Sequence, residues 1–231
     1  MPGARVKLRL TGVPFNRALF RDILAVGLPT CVSPVQTVLT VLVITALISR
    51  HGPEALAGYG IGARLEMVMI PVAFGIGVAC VPMVGMAMGQ GDVARARRVA
   101  AIGAALAGGL VGAIGVLAAY APAYWVRLFT TDPAISAYAM SFLARTGPAF
   151  AFLGLGLCLL FASQGAGRVL GPVLAGTLRL AIVGFGGWWL VATDAPPAAY
   201  FWLVALGMIA YGSFAAVAVW LTRWGPDNQI S

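Results

Sequence analysis

Six long apolar stretches dominate the sequence and limit what the chain can fold into. Each is long enough to cross a hydrocarbon core of ~30 Å, which takes about 20 helical residues. Because a backbone in lipid must satisfy its own hydrogen bonds, we predict that each stretch is a transmembrane helix. The alternating pattern typical of membrane barrel strands is not seen. The stretches cover approximately residues 23–49, 55–88, 99–121, 135–163, 169–192 and 198–221.

The composition agrees with a membrane protein and excludes several soluble classes. Of the 231 residues, 61% are hydrophobic and 10% are charged, whereas a soluble domain has about 45–50% apolar and about 25% charged residues. So few polar groups cannot cover a water-soluble surface. A soluble enzyme, a disordered linker and a nucleic-acid-binding module are therefore excluded, although the net charge is +8.

The distribution of basic residues predicts the topology. If the N-terminus is cytoplasmic, ten of the 15 Lys and Arg residues fall in cytoplasmic segments, and only Arg50 and Arg127 fall in the opposite loops. This positive-inside bias also places the C-terminus in the cytoplasm. Since the connections are short, we predict a basic N-terminal segment (1–22), one six-helix transmembrane lobe (23–222) and a cytoplasmic tail (223–231).

Small residues and prolines recur within the predicted helices. Small residues lie four apart in the runs Gly58/Gly62 and Ala104/Gly108/Gly112. This spacing favours close contact between helices in lipid. Prolines that remove a backbone donor and predict kinks also recur inside the spans, at Pro29, Pro34, Pro71, Pro82, Pro148 and Pro172. We therefore expect a tightly packed but bent bundle.

Four charged residues remain inside the predicted spans: Arg64, Glu66, Arg145 and Arg179. At a rise of ~1.5 Å per residue, each lies ~15–18 Å from the end of its span. That depth is close to the midplane of a ~30 Å core. Buried charges of this kind are costly and occur in pairs or beside water. We expect the four residues to meet in one centre halfway across the membrane.

Glu66 is the only acidic residue at this depth, and two interpretations of it stand. As a functional group it accepts a proton or a cation, with its charge state set by desolvation and by the neighbouring arginines. As a structural group it is one arm of a permanent buried ion pair. Arg64 lies two positions away and faces another side of the helix. Glu66 is therefore expected to face Arg145 or Arg179 across the bundle.

Gln36 and Thr37 supply polar side chains at a similar depth on the first span. Together with nearby threonines they can coordinate a cation or bind a substrate. Each one alone also fits a simple hydrogen bond between helices.

Motifs for catalysis and for cofactor binding are missing. The sequence contains no phosphate-binding G-x-x-x-x-G-K-[ST] motif and no H-E-x-x-H motif, and the single histidine, His51, falls in a loop. The three cysteines fit no zinc framework. We expect no enzymatic activity, no metal site and no cofactor. Transport, a pore or a membrane scaffold remain as functions.

Several segments resemble the C-terminal half of the multidrug and toxic compound extrusion (MATE) family of efflux transporters. The similarity to the family's turns and helices follows the family's order along nearly the whole chain. The similar segments are Arg21–Pro29 (RDILAVGLP), Ala55–Glu66 (ALAGYGIGARLE), Val84–Gly91 with Ala94–Arg98 (ARARR), Leu128–Pro133 (LFTTDP) and Ala162–Gly167 (ASQGAG).

The resemblance implies a secondary antiporter in the inner membrane that exports cationic organic compounds in exchange for H⁺ or Na⁺. It also implies two six-helix lobes, of which this chain has one. The partner is then a missing N-terminal lobe or a second copy in a parallel homodimer. The carboxylate that some members carry on the first helix of this lobe corresponds to Thr37 or its surroundings, which makes Glu66 the acidic candidate for coupling.

Two alternatives remain open from the sequence. A flippase for lipid-linked precursors has a related architecture, and a cationic cavity lined by Arg64, Arg145 and Arg179 would suit its phosphate-bearing cargo. A truncated membrane fragment without transport activity is the other alternative.

Overall fold

A computed structural model of the protein describes residues 17–222 and 224. Most of the predicted N-terminal segment (1–22) and of the predicted tail (223–231) therefore lies outside the described residues. The described part is helical and contains six helices long and apolar enough to span a membrane. These run over Ile23–His51, Pro53–Gly89, Val93–Tyr120, Pro133–Gly165, Leu170–Ala192 and Pro197–Leu221. The six predicted spans are confirmed, with ends shifted by a few residues.

The described residues form eight α-helices, because a short helix precedes the fourth span and that span is itself divided into two helices. Short 3-10 turns follow α1 (Ser49–His51) and separate α5 from α6 (Gly147–Ala149). The helices are α1 (Arg17–Ile48), α2 (Pro53–Gly89), α3 (Val93–Tyr120), α4 (Pro122–Val126), α5 (Pro133–Thr146), α6 (Phe150–Gly165), α7 (Leu170–Ala192) and α8 (Pro197–Leu221).

Local sequence explains where two of the helices begin. Asp132 accepts hydrogen bonds from the backbone nitrogens of Ala134 and Ile135, at 2.8 and 3.1 Å, and Pro133 opens α5. Asp92 accepts one from Arg95, at 2.9 Å, at the start of α3. Both arrangements satisfy backbone donors that a helix start leaves unpaired.

Of the prolines for which kinks were predicted, Pro148 lies at a break in its span, whereas Pro29, Pro34, Pro71 and Pro82 lie inside the continuous helices α1 and α2. The glycine before Pro148 explains its position, because Gly147 lies against the backbone of α3. A Cβ atom there would collide with the carbonyl oxygen of Gly115. The fourth span therefore breaks where its backbone contacts a neighbour at close range.

Helices α3 and α6 share the most extensive contact between two helices of the described bundle, here called the α3–α6 seam. A Cβ added to Gly154 would lie 2.7 Å from the carbonyl oxygen of Ala107, and one added to Gly112 would lie 2.7 Å from the Cβ of Ala151. The expectation that small residues four apart mark close packing is confirmed for Gly108 and Gly112.

An aromatic cluster fills the bundle beside this seam. Phe142 is completely buried, and its ring makes edge contacts with Tyr59 and Phe201, each at 5.4 Å between centroids. These contacts join α2, α5 and α8. The seam and the aromatic cluster leave α1 and α7 at one side of the bundle, where the polar residues gather.

Candidate functional site

An ion pair between Glu66 and Arg179 lies at the centre of the candidate site. Nη2 of Arg179 on α7 donates to Oε1 of Glu66 on α2 over 3.1 Å. The side chain of Arg179 is only 8% exposed and that of Glu66 only 13%. Each group neutralises the other in a region where an isolated charge would be expensive. This pairing is one of the two that the sequence predicted for Glu66.

The pair has unused hydrogen-bonding capacity. Nε of Arg179 is buried and has no hydrogen-bond partner. Ion pairs buried in proteins normally use their remaining donors and acceptors in further hydrogen bonds. The geometry therefore leaves the guanidinium able to bind another acceptor or to reorganise.

Gln36 connects α1 to α7 beside this ion pair. Its Nε2 donates to Oγ1 of Thr177 over 2.7 Å, and its Oε1 is buried without a hydrogen-bond partner. The close approach of the two helices requires Gly176, because a Cβ atom there would collide with Oε1 of Gln36. The glycine thus makes room for the buried amide oxygen of Gln36, which keeps its capacity to accept a hydrogen bond.

Thr37 lies beside Gln36 but makes a different contact. Its hydroxyl donates to the backbone oxygen of Ser33, one helical turn earlier, over 3.0 Å. Thr40 repeats this pattern by donating to the backbone oxygen of Gln36 over 2.7 Å. These hydroxyl oxygens keep lone pairs that can accept hydrogen bonds from a ligand.

A cavity of about 410 Å³ brings these groups together between α1, α2, α6, α7 and α8. Its volume is within the range of small-molecule sites, ~300–1,000 Å³. The polar part of its wall is mixed with Ile70, Phe74, Leu157 and Phe161. The polar residues lining it include Thr30, Ser33, Gln36, Thr37, Thr40, Glu66, Gln164, Arg179 and Tyr211.

Arg64 and Arg145 are not part of this cavity, which corrects the expectation of one centre with four charges. Arg64 is exposed, and its guanidinium lies 5.1 Å from the ring centroid of Phe129 after α4. Arg145 donates to the backbone oxygen and the hydroxyl of Ser141 on its own helix, at 2.8 and 2.6 Å. A count of residues along a helix gives depth but not direction, so groups at similar depth can point apart.

The cavity also contains polar residues that were not predicted from the sequence as site residues. Ser33 has a buried hydroxyl oxygen without a hydrogen-bond partner, and Tyr211 and Gln164 reach the cavity from α8 and α6. One signal was available on α1, since Ser33, Gln36, Thr37 and Thr40 follow a helical spacing that places them on one face. Tyr211 and Gln164 had no comparable signal. Among the described residues, no group of three or more His, Cys, Asp or Glu could hold a metal ion.

Comparison with known proteins gives a consistent family. The MatE family model matches residues 29–189. A probable multidrug resistance protein NorM from Aromatoleum aromaticum is 34% identical over 123 residues, covering 52% of this chain and 27% of the relative. Another from Thermotoga maritima is 29% identical over 168 residues, covering 73% and 36%.

The fold is shared with solved structures of MATE transporters. A crystal structure of MATE in the straight conformation superposes with a TM-score of 0.82 at 20% identity, over 93% of this chain and 48% of that chain. The chain thus corresponds to about half of that transporter, as one lobe does, and its matches cover a smaller share of the curated relatives. Fold, spans and family model agree, and the chain therefore belongs to the MatE family, whose members are multi-pass membrane transporters and not enzymes.

Proposed function

We propose that the chain is one lobe of a secondary active efflux transporter that exports drug-like organic cations in antiport with H⁺ or Na⁺. The names of the NorM relatives support multidrug substrates. In this proposal both chain ends lie in the cytoplasm and the transporter resides in the inner membrane. The bias of arginines between the two sets of loops supports that orientation.

One observation carries the proposal: the carboxylate of Glu66 lies in a drug-sized cavity, paired with Arg179, and Ser33 and Gln36, which line the same cavity, each have an oxygen without a hydrogen-bond partner. In the structure Glu66 is paired with Arg179. An entering proton or Na⁺ competes with Arg179 for the carboxylate, and the oxygens of Gln36 and Ser33 can complete its shell. Glu66 is therefore proposed as the contact for the coupling ion or the cationic substrate, with Gln36 and Thr37 as neighbouring ligands.

When a cation binds Glu66, Arg179 loses its partner and needs another acceptor. Releasing Glu66 from Arg179 would leave a buried guanidinium, which costs several kcal/mol unless a new acceptor replaces the carboxylate. Rocking of one lobe against the other is a way to supply such an acceptor. The second lobe is either the missing N-terminal lobe or a second copy of this chain. Cross-linking in native membranes distinguishes them, because a species of monomer size alone would exclude the homodimer.

A transport assay tests the proposal. The chain, alone and together with the first lobe of the Aromatoleum NorM relative, is expressed in cells without their own multidrug pumps. Accumulation of a fluorescent organic cation is then measured with and without a proton uncoupler, and in Na⁺-free medium. We expect efflux that depends on one of the two gradients. Efflux absent from both assemblies would contradict the proposal.

Three variants test the role of Glu66. Glu66→Gln is expected to abolish gradient-driven efflux, and so is the double variant Glu66→Gln/Arg179→Gln, which lacks the carboxylate without leaving an unpaired charge. Arg64→Gln is the matched control, since Arg64 is on the same helix but outside the cavity. Wild-type efflux by the double variant would show that the carboxylate is dispensable.

The structure gives the flippase alternative little support. That alternative depends on three arginines in one cavity. Among the described residues, only Arg179 of the three lines the cavity, and Glu66 compensates its charge. A cargo with several phosphates would therefore meet a nearly neutral wall.

A further inference from the structure

A second cavity, here called the α3–α8 groove, lies on the other side of the bundle. It has a volume of about 440 Å³ and is bordered by α3, α6 and α8. Its wall is apolar over most of its length, and two arginines lie at one end, Arg97 and Arg98. The apolar residues that shape it include Ala101, Ala104, Ala105, Leu155, Leu159 and Trp220.

Small side chains on α3 create this groove. Ala101, Ala104 and Ala105 follow the spacing of one helix face, and Ala101 and Ala105 are exposed. A methyl group at each position leaves room between α3 and α8 that a larger residue would fill. Both exposed alanines lie within the candidate membrane span Val93–Tyr120, so an acyl chain that reaches this surface of the lobe can enter the groove laterally.

The basic end of the groove is held in place. Nη2 of Arg97 donates to the backbone oxygen of Thr222 over 2.8 Å, which ties the start of α3 to the end of α8. Nε of Arg97 is buried and has no hydrogen-bond partner. Arg98 follows directly and is exposed. One positioned guanidinium with an unused donor and one exposed guanidinium thus lie beside an apolar channel.

We propose that the α3–α8 groove binds an anionic phospholipid, with its phosphate at Arg97 and Arg98 and one acyl chain along the alanines of α3. Charge complementarity selects this occupant, because basic pockets between transmembrane helices suit anionic head groups. Trp220, which is 77% exposed at the same end of the bundle, fits the interface between head groups and acyl chains.

The groove is separate from the cavity that contains Glu66 and Arg179. No residue lines both. The lipid site therefore does not depend on the transport proposal, and variants of the groove leave the ion pair intact.

Binding of defined lipids to the purified full chain in detergent tests the site by native mass spectrometry. We expect one phosphatidylglycerol to bind in preference to phosphatidylcholine of the same chain length. Glycerol phosphate, which carries the head group without acyl chains, is expected to bind much more weakly. Equal binding of the two lipids would overturn the role of the arginines. Equal binding of glycerol phosphate and the lipid would overturn the role of the groove.

Two variants and two matched controls locate the lipid. Arg98→Gln is expected to raise the Kd for phosphatidylglycerol about fivefold, which is the effect of about 1 kcal/mol per basic residue. Arg95→Gln is its control, because Arg95 lies on the same helix but faces Gln90. Ala105→Phe is expected to fill the groove and remove the bound lipid, whereas Ala113→Phe, on the exposed side of α3 beyond the groove, should not.

The controls also separate a site from general attraction. If Arg95→Gln weakens binding as much as Arg98→Gln, the lipid is held by diffuse charge and the proposal fails. If Ala105→Phe retains the lipid with wild-type affinity, the acyl chain does not lie in the groove. Neither variant changes Arg97, whose bond to Thr222 stabilises the ends of α3 and α8.

Discussion

Two regions of the lobe hold helices together by different means. At the α3–α6 seam, glycines bring backbones into direct contact, with Gly154 against Ala107 as an example. At the contacts of α7 with α1 and α2, polar groups join the helices through Gln36–Thr177 and Glu66–Arg179. Lipid provides little hydrophobic driving force between helices, so helix association depends on van der Waals packing and on polar contacts.

The difference indicates which region can change its structure. A glycine contact has one geometry, because the van der Waals attraction of interlocked backbones falls steeply with separation. A hydrogen bond or an ion pair can exchange its partner for another polar group. The seam thus provides a rigid support, and the side with α1, α2 and α7 is the part in which a transported ion can replace an internal contact.

The largest loss of stability is expected where α7 contacts α2 through the Glu66–Arg179 ion pair. Glu66→Gln leaves Arg179 buried without its counter-charge, and the free energy of unfolding should fall by about 3–5 kcal/mol. Arg179→Gln added to it should restore most of the loss, which thermal or denaturant unfolding in detergent would measure. A double variant no more stable than the sum of the two single losses would show that the pair is not coupled.

The next largest loss of stability is expected at the α3–α6 seam. A second substitution of a polar residue should not restore it. Gly154→Leu places a side chain against the carbonyl oxygen of Ala107, and overpacking of this kind costs about 1–3 kcal/mol or more. Gly109→Leu is the control on α3, since a Cβ there has nothing within 4 Å. If both variants unfold at the same temperature, the seam is looser than described.

A smaller effect should follow from loss of the α1–α7 hydrogen bond. Gln36→Leu removes the contact with Thr177, and hydrogen bonds between membrane helices average about 0.6 kcal/mol with a maximum of about 1.7 kcal/mol. The unfolding midpoint should therefore decrease only slightly, while binding of a fluorescent organic cation in the cavity should weaken. Unchanged binding in this variant would remove Gln36 from the candidate site.

The smallest effect is expected outside both regions. Arg64→Gln loses a contact with the Phe129 ring at an exposed position, which is worth about 0.5–1 kcal/mol at most. Arg145→Gln should likewise leave cation binding unchanged, because Arg145 is held by Ser141 on its own helix. Loss of cation binding in either variant would show that the substituted arginine contributes to the candidate site.

Much of the candidate site could be predicted from the sequence. Glu66 and Arg179 stand out because a charge within an apolar span has few tolerable environments, and Gln36 and Thr37 share their depth. The polar face of α1 was also predictable, because Ser33 and Thr40 lie at helical spacing from Gln36 and Thr37. Tyr211 and Gln164 were not predictable, since a single tyrosine or glutamine in a span has no pattern that indicates its direction.

The sequence by itself determined that the chain crosses the membrane six times, because the length and polarity of each stretch are set by the thickness of the lipid and by the need to pair the backbone. It also predicted a depth for each charge, since the helical rise is constant. The tertiary structure alone decided which charges meet. The direction of a side chain depends on how each helix is rotated, tilted and broken against its neighbours, so Glu66 reaches Arg179 while Arg64 and Arg145 turn to other partners.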